Sequence, residues 1–355
     1  MKVLHVIDSL MVGGAERVLV DQSNLLSKNG YEISVLVLSN KYPLRRALLP
    51  EISFYSIKSK FSLRGIDKVW RLCRNHSLVH VHMRYNFRYI ALIKLLTFSS
   101  FKIVHQDHYG DIDIFKQVPF LIRFFSKLNP WYIGVSIGLT DWAYQQLHLR
   151  KESILLLPNI VLIQKTPETR IDKQGLIKVL MVANFREAKN HTFLIGMVPA
   201  FLEKFTCVEI HFYGKVLNTV FFDKLLAEVK ALNLEQTIYF HTDCDNIQPV
   251  LKSFDAAIHP AKRESGPLVL IEYLGHSVPF LAYTTGQVAE QLAPELPELF
   301  VNSFEPSVWL ERFSFILNNK EALKYRMEKS FDNTFSEESY VLKLINFYSK
   351  VYNSN

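Results

Sequence analysis

Three cysteines in 355 residues, Cys73, Cys207 and Cys244, stand too far apart for a C-x-x-C pair. That spacing excludes a zinc-ligand array and a disulfide framework, and it fits a reducing compartment. No run of about 18 uncharged apolar residues occurs, which is the length a membrane-spanning helix needs. The nearest stretch, YIALIKLLTFSSFKIV at 89–104, is broken by Lys94 and Lys102. The N-terminal MKVLHVIDSL has a short apolar run interrupted by His5 and Asp8, with no small-residue cleavage site. It reads as a strand and not as a secretory signal. Low-complexity tracts, short internal repeats, RNA-binding motifs and a G-x-G-x-x-G fingerprint are also missing. With 49% hydrophobic and 21% charged residues, the composition excludes a disordered chain. The expectation is a cytoplasmic globular protein of two domains.

Charge is spread unevenly. Residues 1–160 hold 21 Lys and Arg against 11 Asp and Glu, a net of +10, whereas 161–355 hold 20 against 23, a net of −3. A basic half beside a nearly neutral one points to a polyanionic partner for the first domain. KSKFSLRGIDKVWRLCRNH and RYNFRYIALIKLL interleave Lys and Arg with Phe, Trp and Tyr. That composition suits an anionic membrane surface, and it equally describes two amphipathic helices with solvated charged faces. No nucleic-acid contact is expected, because no recognised module accompanies the charge.

Apolar strands alternate with helical stretches from KVLHVI onward, which implies α/β architecture with a doubly wound, mainly parallel sheet. The polar, aperiodic VLIQKTPETRIDKQG at 161–175 reads as a linker. The alternation restarts at IKVLMVANF, so the expected domains are 1–160 and 176–335. Residues 336–355 form a final helix, since SEESYVLKLINFYSKVY carries a Ser cap, early acidic residues and an apolar stripe.

Residues 255–292 hold the densest chemistry. A short strand ends at His259, a loop runs to Gly266, and Pro267 suits the first position of a helix because its missing N–H would be unpaired there anyway. The helix LVLIEYL is apolar almost all round and should be buried. Glu272 lies within it, and Glu264 just before it. A carboxylate in such a helix reaches solvent, bonds a neighbouring strand, or holds a ligand. The free amides of the helix start, at Ser265, Gly266, Leu268 and Val269, form an anion site together with the preceding loop, with Pro267, which has no N–H, shaping the turn. Amides for phosphate beside carboxylates for hydroxyls match the inventory of a nucleotide-sugar. Elsewhere, Gly13 and Gly14 follow the first strand and permit close approach to the backbone. Arg186 and Lys189 in ANFREAKNH offer cations for a diphosphate. His80, His82, His105 and His108 cluster in the first half without metal-ligand spacing, and Asp111 and Asp113 make an isolated D-x-D, so no metal is assigned.

ESGPLVLIE followed by GHSVPFLAYTTGQVAEQL resembles the E-x7-E segment of family-4 retaining glycosyltransferases, which have the GT-B fold. Glu264, Gly266, Leu268, Glu272, Gly275, Pro279, Gly286 and Glu290 fall at or within a residue of the motif positions, and Pro267 replaces the family's usual Gly. GGAER is similar to the family's N-terminal loop, and LPNIV to its I-P-N-G-V-D hinge entry, with Ile160 for Gly and Leu162 for Asp. In ANFREAKNH, Lys189 and Asn190 match, while Asn184 stands at the usual Arg and Arg186 follows two residues later. His108 aligns with T-x-H, with Gln106 for Thr.

The resemblance implies two Rossmann-like domains facing across a cleft, the first binding an acceptor and the second a nucleotide-sugar. It implies transfer of a hexose-type sugar from a UDP-sugar, with retention and without a required metal or other cofactor. The acceptor would be a glycan or lipid-linked oligosaccharide of surface-polysaccharide assembly, met peripherally at the inner face of the cell membrane. Glu264 would hold the transferred sugar, Glu272 the ribose diol, and Lys189, Arg186 and the amides the diphosphate. Gly13, Gly14 and Asn184 would line the donor site, and His108 would face the sugar. The final helix would cross back to the first domain. The alternatives are a catalytically silent, glycan-binding homologue and a nucleotide-sugar epimerase of the UDP-N-acetylglucosamine type.

Overall fold

The computed structural model describes residues 1–109, 118–164, 175–205, 207–264 and 266–354. The D-x-D of Asp111 and Asp113, most of the expected linker, and Ser265 lie outside the described residues. In chain order the elements are β1 (Lys2–Ile7), α1 (Gly14–Lys28), β2 (Glu32–Val37), β3 (Ser53–Ser56), α2 (Leu63–Arg74), β4 (Leu78–His82), α3 (Arg84–Leu96), β5 (Lys102–Asp107), α4 (Phe120–Leu128), β6 (Trp131–Gly134), α5 (Ile137–Gln146) and β7 (Ile154–Leu156). They continue with β8 (Leu176–Val182), α6 (His191–Lys204), β9 (Cys207–Tyr213), α7 (Thr219–Ala231), β10 (Ile238–His241), β11 (Ala256–His259), α8 (Leu268–Gly275), β12 (Phe280–Tyr283), α9 (Gly286–Leu292), β13 (Phe300–Val301), α10 (Pro306–Asn318), α11 (Lys320–Phe335) and α12 (Glu337–Asn353).

The chain divides into two units, one of Met1–Leu162 with Ser336–Asn355, the other of Ile163–Phe335. The first holds a parallel sheet of order β3-β2-β1-β4-β5-β6-β7. Central strands are buried on both faces, as the near-continuous apolar runs require. Val3, Ile7, Leu78, Val104 and Ile133 share one face with Leu19 and Leu26 of α1 and Leu344, Phe347 and Tyr348 of α12. Leu4, Val6, Val79, Val81 and Ile103 share the other with Val69, Cys73, Phe87, Ile90 and Trp142. Thus α12 is part of the first unit. It is capped by Ser336, whose side chain accepts from Ser339 N–H at 3.3 Å.

The second unit holds a parallel sheet of order β10-β9-β8-β11-β12-β13. Helix α6 meets α10 through Phe193 on Trp309 and Phe201 on Phe313, with ring centroids 5.2 and 5.1 Å apart. Helix α11 packs against α8. Helices α10 and α11 have no counterpart in the sequence reading. The stripe of α11 is thin and partly polar (Leu323, Met327, Ser330 and Phe335), so its period is weak.

Each sheet has a point where the strand order reverses, between β1 and β4 and between β8 and β11. The loops that leave those strands diverge to opposite sides, and ligands of doubly wound sheets bind in the gap. Gly13 and Gly14 follow β1. Lys189 and Glu264 follow β8 and β11.

Candidate active site

Two loops at the carboxyl ends of β8 and β11 build the constellation in the second unit. After β8 the chain closes a 3-10 turn over Glu187–Lys189, and Asn190 takes the left-handed conformation, φ 59°, to enter α6. After β11 the loop approaches the first one, and the Lys262 N–H donates to the Ala188 carbonyl at 3.0 Å. Lys189 Nζ thereby reaches Glu264 Oε1 in a mostly buried ion pair. The same oxygen meets His259 Nε2, from the last residue of β11, at 2.9 Å. Burial pushes the Glu264 pKa up, but Lys189 and His259 outweigh it and hold it at about 2. The carboxylate is therefore ionised at neutral pH.

A third loop presses on the same residue. Gly286 has φ +77°, and a Cβ there would lie 2.7 Å from the Glu264 carbonyl oxygen. Only glycine satisfies both the dihedral and the clearance.

Helix α8 begins at Leu268, with Pro267 at the cap and not inside the first turn. Its buried residues run from Val269 to Leu274 and include Glu272, only 3% exposed. The solvent-reaching alternative for Glu272 is thus set aside. The Tyr273 hydroxyl accepts the Val182 N–H at 3.1 Å, locking α8 to the end of β8. Asn184 is engaged in the scaffold: its Oδ1 accepts the Lys215 N–H at 3.0 Å. Beside it a Cβ on Gly214 would lie 2.0 Å from the Ala183 carbonyl oxygen, so the two loops cross in close contact. Arg186 is exposed.

In the first unit, Gly13 caps α1 and Gly14 opens it. A Cβ on Gly14 would meet no described protein atom within 4 Å. The Glu16 carboxylate folds back over Gly13, and burial raises its pKa. His108 follows β5. Its neighbour Asp107 accepts from Arg84 Nε at 2.6 Å and from the Tyr132 hydroxyl at 3.0 Å, while Arg84 lies over the rings of Trp142 and Tyr109 at 4.1 and 4.4 Å. That buried pair fixes the strand end from which His108 departs. Burial lowers the His108 pKa to about 4, against the pull of Asp107, so the ring is neutral near pH 7. His105 faces the opposite side of the sheet, stacked on Phe87 at 4.3 Å.

The structure thus gathers Lys189, Glu264 and the α8 residues around one reversal point. The sequence reading missed His259, Arg84 and Asp107. For His259 a signal was present: it is the last residue of the strand that delivers Glu264.

Each unit is thus a doubly wound parallel sheet with candidate residues at its reversal point, where such sheets bind ligands. Residues 162–331 match the family described as Glycosyl transferases group 1, and residues 12–161 match Glycosyltransferase Family 4. The matches together run from residue 12 to 331, and the chain belongs to this glycosyltransferase family. An uncharacterized glycosyltransferase of Haemophilus influenzae is 21% identical, over 94% of both chains. The N-acetyl-alpha-D-glucosaminyl L-malate synthase of Bacillus anthracis is 24% identical over 79% of this chain and 78% of its own. Anabaena HepE in complex with UDP shares the GT-B fold, with a TM-score of 0.79 at 15% identity over 99% of this chain and 100% of its own.

Proposed function

We propose that the protein is a retaining, metal-independent glycosyltransferase that moves a hexose-type sugar from a UDP-sugar to a hydroxyl of a glycan or lipid-linked acceptor in surface-polysaccharide assembly. The observation that carries this reading is the Lys189–Glu264–His259 cluster at the β8/β11 reversal, beside the start of α8. In this reading Glu264, held ionised, accepts hydroxyls of the transferred sugar. Glu272 takes the ribose diol. The amides of Gly266, Leu268 and Val269, with Ser265, bind the diphosphate together with Lys189 and Arg186. As the sugar–phosphate bond breaks, negative charge grows on the departing UDP, and a placed cation lowers that barrier. Retention requires no separate enzymic base, since a donor phosphate oxygen can take the acceptor proton. His108, a neutral imidazole, can hold a hydroxyl without adding charge. Gly14 carries no steric reason of its own to be glycine, which suits a loop that a ligand approaches closely. HepE's complex with UDP supports the choice of donor.

The acceptor side is read from the first unit. Helices α3 and α4 pack together, and they and the residues beside them expose Leu92, Leu96, Phe98, Phe120 and Phe124 next to Arg123 and Lys127. Exposed aromatics and leucines beside cations suit peripheral binding to an anionic bilayer at the inner face of the cell membrane.

Calorimetric titration with UDP, GDP and ADP tests the donor site, repeated on Glu272→Ala. Binding of UDP, lost in the variant, is expected. A well-folded protein that binds none of the three sinks the reading. It would favour instead the catalytically silent subunit, which the scaffold role of Asn184 at the family's usual Arg position also suits.

A further inference from the structure

Beneath α12 in the first unit lies a buried group of three imidazoles. His5 on β1 pairs in register with His80 on β4, and His82 follows on the same face. All three side chains are wholly buried. Their rings lie close: His80 and His82 stack at 4.5 Å, and His5 is 4.9 and 5.4 Å from them. Each offers a ring nitrogen, and the three nitrogens lie within 4.8 Å of one another. One facing pair, His5 Nδ1 and His82 Nε2, is already 3.1 Å apart. A tetrahedral site with bonds of about 2.0–2.1 Å has an N–N edge of ~3.3 Å.

The hydrogen bonding of this group is incomplete. His80 Nε2 is buried with no hydrogen-bond partner, and the facing nitrogens of His5 and His82 meet each other. Buried polar atoms are almost always satisfied, so the unmet His80 nitrogen beside that facing pair points to a missing partner. From outside the group, His80 Nδ1 meets the Tyr348 hydroxyl at 2.5 Å and His82 Nδ1 meets His108 Nε2 at 3.2 Å, which fixes both ring orientations.

We propose that His5, His80 and His82 hold a first-row divalent cation, of the kind that imidazole ligands favour, as a structural site. The ion ties β1 to β4 and, through Tyr348, orders α12 on the sheet. It takes no part in the transfer step, and the proposal does not rest on the transferase reading. Because the site is sealed, the ion enters as the chain folds.

The test is to produce the protein in medium supplemented with Co(II), pass it through gel filtration, and measure metal content and visible absorption. Stoichiometric cobalt with the intense d–d bands of tetrahedral Co(II) is expected. It should be lost in His5→Gln and His80→Gln and kept in His105→Gln, whose ring lies on the other face of the same sheet. Chelator present during refolding should lower the Tm, and Zn(II) should restore it. Wild-type protein that keeps no cobalt and refolds to the same Tm with or without Zn(II) overturns the proposal and leaves ordered water as the partner of the unmet His80 nitrogen. Cobalt retained by both His5→Gln and His80→Gln also overturns it.

Discussion

Lys189 and Glu264 illustrate how one charge makes another usable. Glu264 is ionised while nearly buried because Lys189 and His259 converge on a single oxygen. Removing the cation alone strands a buried carboxylate, and breaking such pairs costs about 3–5 kcal/mol. Lys189→Ala should therefore lower stability by that order and transfer activity by about 10²–10³-fold. Adding Glu264→Gln should restore much of the stability and none of the activity. Urea denaturation of both variants, run beside a UDP-sugar turnover assay, checks this. An active double variant would remove both residues from the chemistry. The depressed Glu264 pKa also sets a pH window. Its pair contributes fully above the ordinary carboxyl value near 4.3, and the contribution is lost as pH falls toward about 2.

At the scale of elements, the glycines of the strand-end loops separate two kinds of constraint. Gly286→Ala meets both a positive φ and the Glu264 carbonyl. It should destabilise by about 1–3 kcal/mol and weaken turnover through displacement of Glu264. Gly14→Ala opens a helix into unoccupied space. It should leave the Tm within about 1–2 °C, since surface substitutions without a special role stay small, yet raise the KM for donor or acceptor. Thermal melts and steady-state kinetics on the pair separate the two cases. Equal Tm losses would mean that Gly14 is a structural residue. Helix α12 is the other decisive element. Ser336→Ala removes its cap and should cost about 1 kcal/mol, measurable by chemical denaturation.

For the whole molecule, the buried histidines govern acid stability. Burial holds His191 at about 3 and His105 at about 4. An unfolded His titrates near 6.5, so below that pH the unfolded chain binds more protons and folding stability falls. Each group adds a slope approaching about 1.4 kcal/mol per pH unit between its two values. Denaturant midpoints should be flat above pH 7 and drop steeply from pH 6.5 toward 4. A flat profile across that range would contradict neutral buried rings. The net +10 of residues 1–160 and the exposed Phe98 and Phe120 also predict sedimentation with anionic vesicles at low salt and release at high salt. Absence of binding at low salt removes the membrane from the proposed function. Among the described residues no helix is long and apolar enough to cross a bilayer.

The sequence by itself determined the repeating strand–helix order, because parallel strands buried on both faces must be continuous apolar runs and the helices between them must be amphipathic. It also placed Glu264, Glu272, Lys189 and His108, since each sits at a fixed offset from a strand end or a helix start. Tertiary structure alone decided what those residues touch. His259 turns onto Glu264, Gly286 clears its carbonyl from another loop, and Arg84 reaches Asp107 across 23 positions. His5 and His80 are 75 residues apart and meet only because β1 and β4 are neighbours where the strand order reverses. A one-dimensional pattern records which face a side chain occupies. It does not record which strand lies beside it, and that adjacency is fixed by the packing of the whole sheet.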